Sequence, residues 1–408
     1  MRRLAQWALD SRRRDVDGVV PPVVVELAGD ALAQGVVDAL GMVDVDAEAL
    51  GSQQLDGEHF CARYPLLDSP RQLLFELPLL RVYAFHLPSY RHKKWAPRAH
   101  FAKPVKCGAG RIARPVSAAP AKTREGTIAL SDGRTLAYAD RGPADGAPLI
   151  FHHGTPGSRA GHHPDPGVYD DAGVRVVTYD RAGYGLSDRL EGRDVVAVAA
   201  DISALADELG FQRFAAMGVS GGAPHALACA ALLADRVTRA VVMVTPAPNE
   251  DGFDFLAGMT QSNINEFNAA LAGPDAIAAY LAPYIETLRT QPEAVLDELA
   301  AELPPPDQAT LARQDVREML VTSWREASRQ GAAGWMDDDL AFTRPWGFDL
   351  ADVSAEVRIW QGELDVLAPQ AHGRRVAEQL PNATFELVEG KGHMLYDAWP
   401  QAFAWAAR

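Results

Sequence analysis

From residue 127 onward the chain alternates short apolar runs with longer amphipathic ones. Residues 127–130 and 135–139 flank Ser131-Asp132-Gly133, which predicts a β-hairpin closed by an Asp-Gly turn. Residues 148–152, 174–179, 214–218 and 238–244 read as buried strands, while 195–209 and 223–234 have helical spacing. After a long helical interruption, 357–361 and 384–388 restore the strand pattern, with helical runs at 369–380 and 396–406. Strands alternating with helices predict an α/β fold: a mainly parallel sheet with helices on both faces.

The interruption, residues 247–353, is too long for a loop and has strand patterns of the same kind on either side. Helical spacing over 276–288, 292–303 and 309–328 ends where Gly331 and Gly334 break the run. We read it as a helical cap inserted into a core made of residues 123–246 and 354–408. Ligands on such sheets bind at the carboxyl ends of the strands.

Residues 1–122 have no periodicity that specifies a fold, although 73–85 are apolar enough to dock somewhere. Charge divides the chain at the same place. Residues 1–122 hold 17 Lys and Arg against 13 Asp and Glu, and the remainder holds 22 against 41, within a net charge of -15. Residues 91–114 carry eight Lys or Arg and no acid, interleaved with Trp95 and Phe101. That run reads as a solvated linker in preference to a nucleic-acid or anionic-surface patch, and 115–122 as a flexible joint. A third reading treats the extension as lying upstream of the true start, since Ala, Arg, Gly, Pro and Val bias marks a GC-rich gene in which open frames lengthen easily.

The acidic remainder repels nucleic acid and suits a small-molecule substrate. No apolar run approaches the ~18 residues of a membrane span. The basic start, Met1-Arg2-Arg3, is followed by an apolar stretch that Asp10 and Arg12 to Arg14 interrupt, so no secretory leader is read and a cytoplasmic location is expected. Cys61, Cys107 and Cys229 are too scattered for a disulfide framework or a zinc site.

The chemistry centres on Gly218-Val219-Ser220-Gly221-Gly222, at the join between an apolar strand and a helix-prone run. A serine hydroxyl becomes a useful nucleophile when a sharp turn between small residues exposes it beside a base. Asp365, in Gly362-Glu363-Leu364-Asp365, and His393, in Gly392-His393, follow the last two strands, so both are expected at the sheet edge that carries Ser220. Their order, Ser then Asp then His, is that of a nucleophile-elbow triad. Asn249, Glu250 and Asp251 follow an earlier strand and offer a second position for the acid; Asp365 is preferred because its loop is tight.

The loop His153-Gly154-Thr155-Pro156-Gly157 follows an early strand, so a backbone N–H near Thr155 can join that of Gly221 as an oxyanion donor. His152 and His153 lack ligand spacing and are read as shaping that loop. His162 and His163 are read as solvent or pocket-rim residues, and His225 as a packing residue. Trp335, Met336, Phe342, Trp346 and Phe348 gather near the cap's end and can line an apolar acyl pocket or pack cap to core, packing being preferred. Asp337 to Asp339 read as a helix start or turn. No cofactor or metal is implied.

Residues 126–408 resemble the α/β-hydrolase superfamily in its serine-nucleophile, helical-cap branch. The resemblance rests on residues 153–158, Asp180-Arg181-Ala182-Gly183-Tyr184-Gly185-Leu186-Ser187-Asp188, the Ser220 pentapeptide, the Asp365 loop and Gly392-His393. It implies Ser220 as nucleophile, His393 as general base, Asp365 as orienting acid, Thr155 and Gly221 as oxyanion donors, and residues 180–188 as a brace for the site loops. A serine at the elbow departs from dehalogenases and epoxide hydrolases, which carry aspartate there. Gly221 departs from proline iminopeptidases, which usually have Trp. The expected function is cleavage of a small ester or related acyl compound through an acyl-enzyme, with amide, lactone and carbon–carbon bond hydrolysis as alternatives on the same triad. Ligand binding without catalysis, or surface or nucleic-acid binding through residues 91–114, is the alternative of another class.

Overall fold

The computed structural model describes residues 123–408 and, before them, only an antiparallel pairing of Val24–Val25 with Val82–Tyr83. The basic tract 91–114 and the joint 115–122 lie outside the described residues, as does all but that pairing of the apolar run 73–85. The chain divides into two units after Arg111, and the second carries the sheet and the helices packed on it.

Eight strands form one sheet: β1 (Arg124–Ala129), β2 (Thr135–Arg141), β3 (Ala147–His152), β4 (Val174–Tyr179), β5 (Phe214–Val219), β6 (Val237–Met243), β7 (Glu356–Gly362) and β8 (Ala383–Val388). Their order across the sheet is β8-β7-β6-β5-β3-β4-β2-β1. β1 pairs antiparallel with β2, and β2 antiparallel with β4; the other neighbours are parallel. The β1–β2 hairpin turns through Gly133 at φ 89°, as its Asp-Gly signal requires.

Period-two alternation buries both faces of the sheet. Ile150, Ala216 and Val242 belong to one apolar cluster, while Leu149, Phe151, Met217, Val241 and Met243 belong to the other. Helices α2 (Val198–Glu208), α3 (Ala223–Leu232) and α10 (Gln370–Gln379) supply residues to the first cluster; α1 (Gly167–Ala172) and α11 (Trp399–Ala406) supply the second. On such a sheet the ligand-binding crevice lies outside the carboxyl ends of the parallel strands.

Between β6 and β7 the chain forms α4 (Gln261–Ala272), α5 (Pro274–Thr290), α6 (Pro292–Glu302), α7 (Pro305–Leu311), α8 (Gln314–Ala327) and α9 (Ala333–Phe342). The run expected as one helix over 309–328 is two, because Arg313 at ψ 129° leaves the helical region between α7 and α8. Gly331, at φ 91°, ends the run as expected, but Gly334 lies inside α9. Asp337 to Asp339 also fall in the interior of α9 and not at its start; all three are buried, so tertiary partners override the preference of Asp for helix ends. Among the described residues no helix is long and apolar enough to cross a membrane.

Candidate active site

The turn from β5 into α3 is built on close approach. A Cβ on Gly218 would meet the carbonyl of Gly222 at 2.3 Å, and one on Gly222 would meet the carbonyl of His152 at 2.0 Å. Both positions therefore exclude any side chain. Between them Ser220 has φ 53°, in the left-handed region that a non-glycine residue seldom occupies. Such strain persists where the surroundings over-determine it, and here it lifts the serine off the strand end.

His393 stands after β8 and Asp365 after β7, and their carboxyl ends pair in register, Val388 with Gly362. His393 Nδ1 lies 3.0 and 2.9 Å from the two oxygens of Asp365. Asp365 in turn accepts the N–H groups of Leu367 and Ala368, each at 2.9 Å, and the Gln361 side-chain amide at 2.9 Å. Burial opposes protonation of His393 most strongly, yet the charge of Asp365, its hydrogen bond and the charge of Asp307 together hold the imidazole above its ordinary value. The other candidate acids lie elsewhere: Glu250 pairs with Arg375 at 2.6 Å, and Asp251 is exposed.

Ser220 and His393 line one cavity of about 260 Å³, together with Gly154, Thr155 and Gly221. Among the described residues no protein hydrogen bond joins Ser220 Oγ to His393, an arrangement that free enzymes often show before substrate tightens the site. A Cβ on Gly221 would sit 2.3 Å from Thr155 Oγ1, so the two expected oxyanion donors share one corner of the cavity. The Thr155–Pro156 peptide is cis.

A buried network holds the Thr155 loop. Thr155 Oγ1 donates to Asp338 at 2.7 Å, Tyr184 donates its hydroxyl to the same carboxylate at 2.8 Å, and Arg181 and Arg193 pair with it. Arg181 also donates to the carbonyls of His153 and Gly154. Burial resists ionisation of Asp338, but Arg181, Arg193 and His225 hold it well below the usual carboxylate range. Asp180 accepts the N–H groups of Arg159 at 2.6 Å and Leu186 at 2.9 Å, so residues 180–188 do brace the loops.

His152 and His225 are structural. His152 Nδ1 meets the Tyr179 hydroxyl at 2.7 Å, and burial pushes its pKa well below the ordinary value. His225 is fully buried and brought down to about 4 chiefly by that burial. His162 lines the cavity, whereas His163 is buried against the carbonyl of Tyr396 and is not a rim residue, because its two ring nitrogens are taken by backbone. Of the aromatic group, Trp335 and Phe342 reach the cavity; Trp346 and Phe348 stack on each other in the core. No Lys or Arg lines the cavity among the described residues.

The alpha/beta hydrolase fold family matches residues 147–398. The chain belongs to the α/β-hydrolase family. This α/β hydrolase is 30% identical to a non-heme chloroperoxidase of Streptomyces lividans over 288 residues, covering 68% of this chain and 95% of the relative. It is 27% identical to a bifunctional esterase/perhydrolase of Acinetobacter calcoaceticus, covering 66% and 92%. Among solved structures, a hydrolase from Pseudomonas aeruginosa (TM-score 0.51, 20% identity, 69% of this chain and 96% of that one) and a bromoperoxidase from Bacillus anthracis (TM-score 0.51, 22% identity, 69% and 97%) share the fold. Membership of the family, together with these relatives, supports hydrolase activity. Sequence reasoning missed Asp307 and Asp338 in the site; each lies more than eighty residues along the chain from its partners there, and only folding brings them together.

Proposed function

We propose that this α/β hydrolase cleaves a small ester through an acyl-enzyme formed on Ser220. The observation that carries the reading is the His393–Asp365 contact at 2.9 Å beside a cavity that also exposes a positive-φ Ser220. In the first half-reaction His393 Nε2 takes the proton of Ser220 Oγ as that oxygen bonds to the substrate carbonyl carbon. Asp365 holds the tautomer and stabilises the imidazolium. The developing oxyanion is met by the backbone N–H groups of Thr155 and Gly221. His393 then gives its proton to the departing alkoxide, and water repeats the sequence to release the acid and free Ser220.

A cavity with apolar walls such as Phe267, Leu299 and Trp324, and with no Lys or Arg, supports an apolar acyl group over a carboxylate-bearing one. The relative named esterase/perhydrolase supports esters as the first class to try. Residues 247–353 act in this reading as a cap over a core of 123–246 and 354–408. The test is a p-nitrophenyl ester panel run beside a fluorophosphonate probe, with the labelled peptide sequenced. Turnover and label on Ser220 are expected. Folded protein that takes no label there would sink the reading, and turnover of lactones or amides in preference to esters would replace the substrate class.

A further inference from the structure

An acid in the first turn of a helix ordinarily accepts its own helix's free N–H groups. Asp307, in the first turn of α7, does not. It is 1% exposed, it makes no capping bond to its own helix, and both its oxygens are committed elsewhere: one accepts the N–H of His393 at 2.8 Å, the other that of Met394 at 2.9 Å. The chain separation is 86 and 87 residues, so these bonds join the helical segment to the loop after β8. Pro304, Pro305 and Pro306 precede Asp307 and fix its backbone approach.

Gly392 records the same contact from the other side. Its φ is not in the left-handed region, so the backbone does not demand glycine. Space does: a Cβ there would lie 2.1 Å from Asp307 Oδ2. The glycine before His393 is thus explained by the carboxylate seated on it.

We propose that Asp307 is a positioning residue for the base: from the helical segment it pins the main chain at His393 and Met394, keeping the imidazole between Asp365 and the cavity that holds Ser220. The proposal rests on the reading of His393 as general base. Asp307 acts through His393 and touches no substrate. Its charge also favours the imidazolium, in the same sense as Asp365, and these two are the charged groups acting on His393 from the elements packed against it. Glu266, Glu298, Glu302 and Asp339 line the cavity that the imidazole faces.

The experiment compares full-length wild type with Asp307→Asn. Asn offers one acceptor and turns a donor toward an N–H, so the loop loses one anchor and the imidazolium loses a counter-charge. For a p-nitrophenyl ester we expect kcat to fall about tenfold to a hundredfold, as misplacement of a reacting group does, with KM little changed. The acid limb of the kcat/KM profile should move to lower pH, because removing a carboxylate lowers the pKa of His393. Gly392→Ala, which pushes the carboxylate off the loop and keeps its charge, should lower kcat as well. The His393 ring titration followed by NMR gives a readout independent of turnover. Wild-type kcat in both folded variants, or an unmoved pH profile and an unmoved ring titration in Asp307→Asn, overturns the proposal. If instead wild type neither hydrolyses esters nor labels at Ser220 while the His393 titration still shifts, the functional reading fails and the contact between Asp307 and the base stands.

Discussion

Thr155 Oγ1 donates a 2.7 Å hydrogen bond to Asp338, a carboxylate carried by α9 and buried to 0% exposure. One bond thereby connects the loop expected to bind the oxyanion with the helical segment that carries Asp338. The two partners differ in what their loss leaves behind. Thr155→Val removes one donor from a carboxylate that keeps Arg181, Arg193 and Tyr184, and should cost about 1–3 kcal/mol. Asp338→Ala strands two buried guanidinium groups and should cost more, about 3–5 kcal/mol. Urea unfolding of both variants checks the order; equal losses would mean that the arginines find other partners.

Ser220→Ala and His393→Ala should each lower kcat by roughly 10⁴-fold or more, and the double variant hardly further, because members of such a set act as a unit. Unfolding midpoints should stay close to wild type for Ser220→Ala, since Ser220 Oγ makes no protein hydrogen bond among the described residues. A double variant far slower than either single one would contradict the unit.

Much of this arrangement is legible before folding. Short apolar runs mark β3 to β8 to within a residue or two, and the chain order of Ser220, Asp365 and His393 puts all three at strand ends. What pattern does not supply is partnership. The acids at 337–339 read as a helix boundary, because Asp favours one, yet Asp337 pairs with Arg189 at 2.8 Å and Asp338 with Arg181, both set by tertiary contact. Gly392 reads as one more loop glycine and is a matter of space beside Asp307. Helix α1 is hidden within Gly- and Pro-rich connections, its six residues too few to show a period.

The raised pKa of His393 has a direct kinetic expression. Below that pKa the ring is protonated and cannot accept the serine proton, so kcat/KM should rise with pH through a group lying above the ~6.5 of free imidazole. Asp365→Asn should move this limb to lower pH and lower kcat, while Asp251→Asn, at an exposed position, should change neither. Activity lost with Asp251→Asn and retained with Asp365→Asn would reverse the choice of acid.

The pairing of Glu266 with Asp339 should mark the stability curve. Trp335 Nε1 donates to Glu266 at 2.6 Å, while Asp339 Oδ2 is buried without a partner among the described residues. Burial first, and then the charge of Glu266, drives Asp339 well above the usual carboxylate range; burial raises Glu266 as well. One proton between two acceptor-only groups turns their contact into a hydrogen bond. A carboxyl whose folded-state pKa is raised adds stability that is fully present below its unfolded pKa and is lost as pH rises through the folded value. Wild type should therefore lose thermal stability as the pH rises above the ~4 of an unfolded carboxyl more steeply than Asp339→Asn, whose amide carries its hydrogens at every pH. Parallel slopes for the two proteins would show that the pair shares no proton and that the cavity wall tolerates both charges.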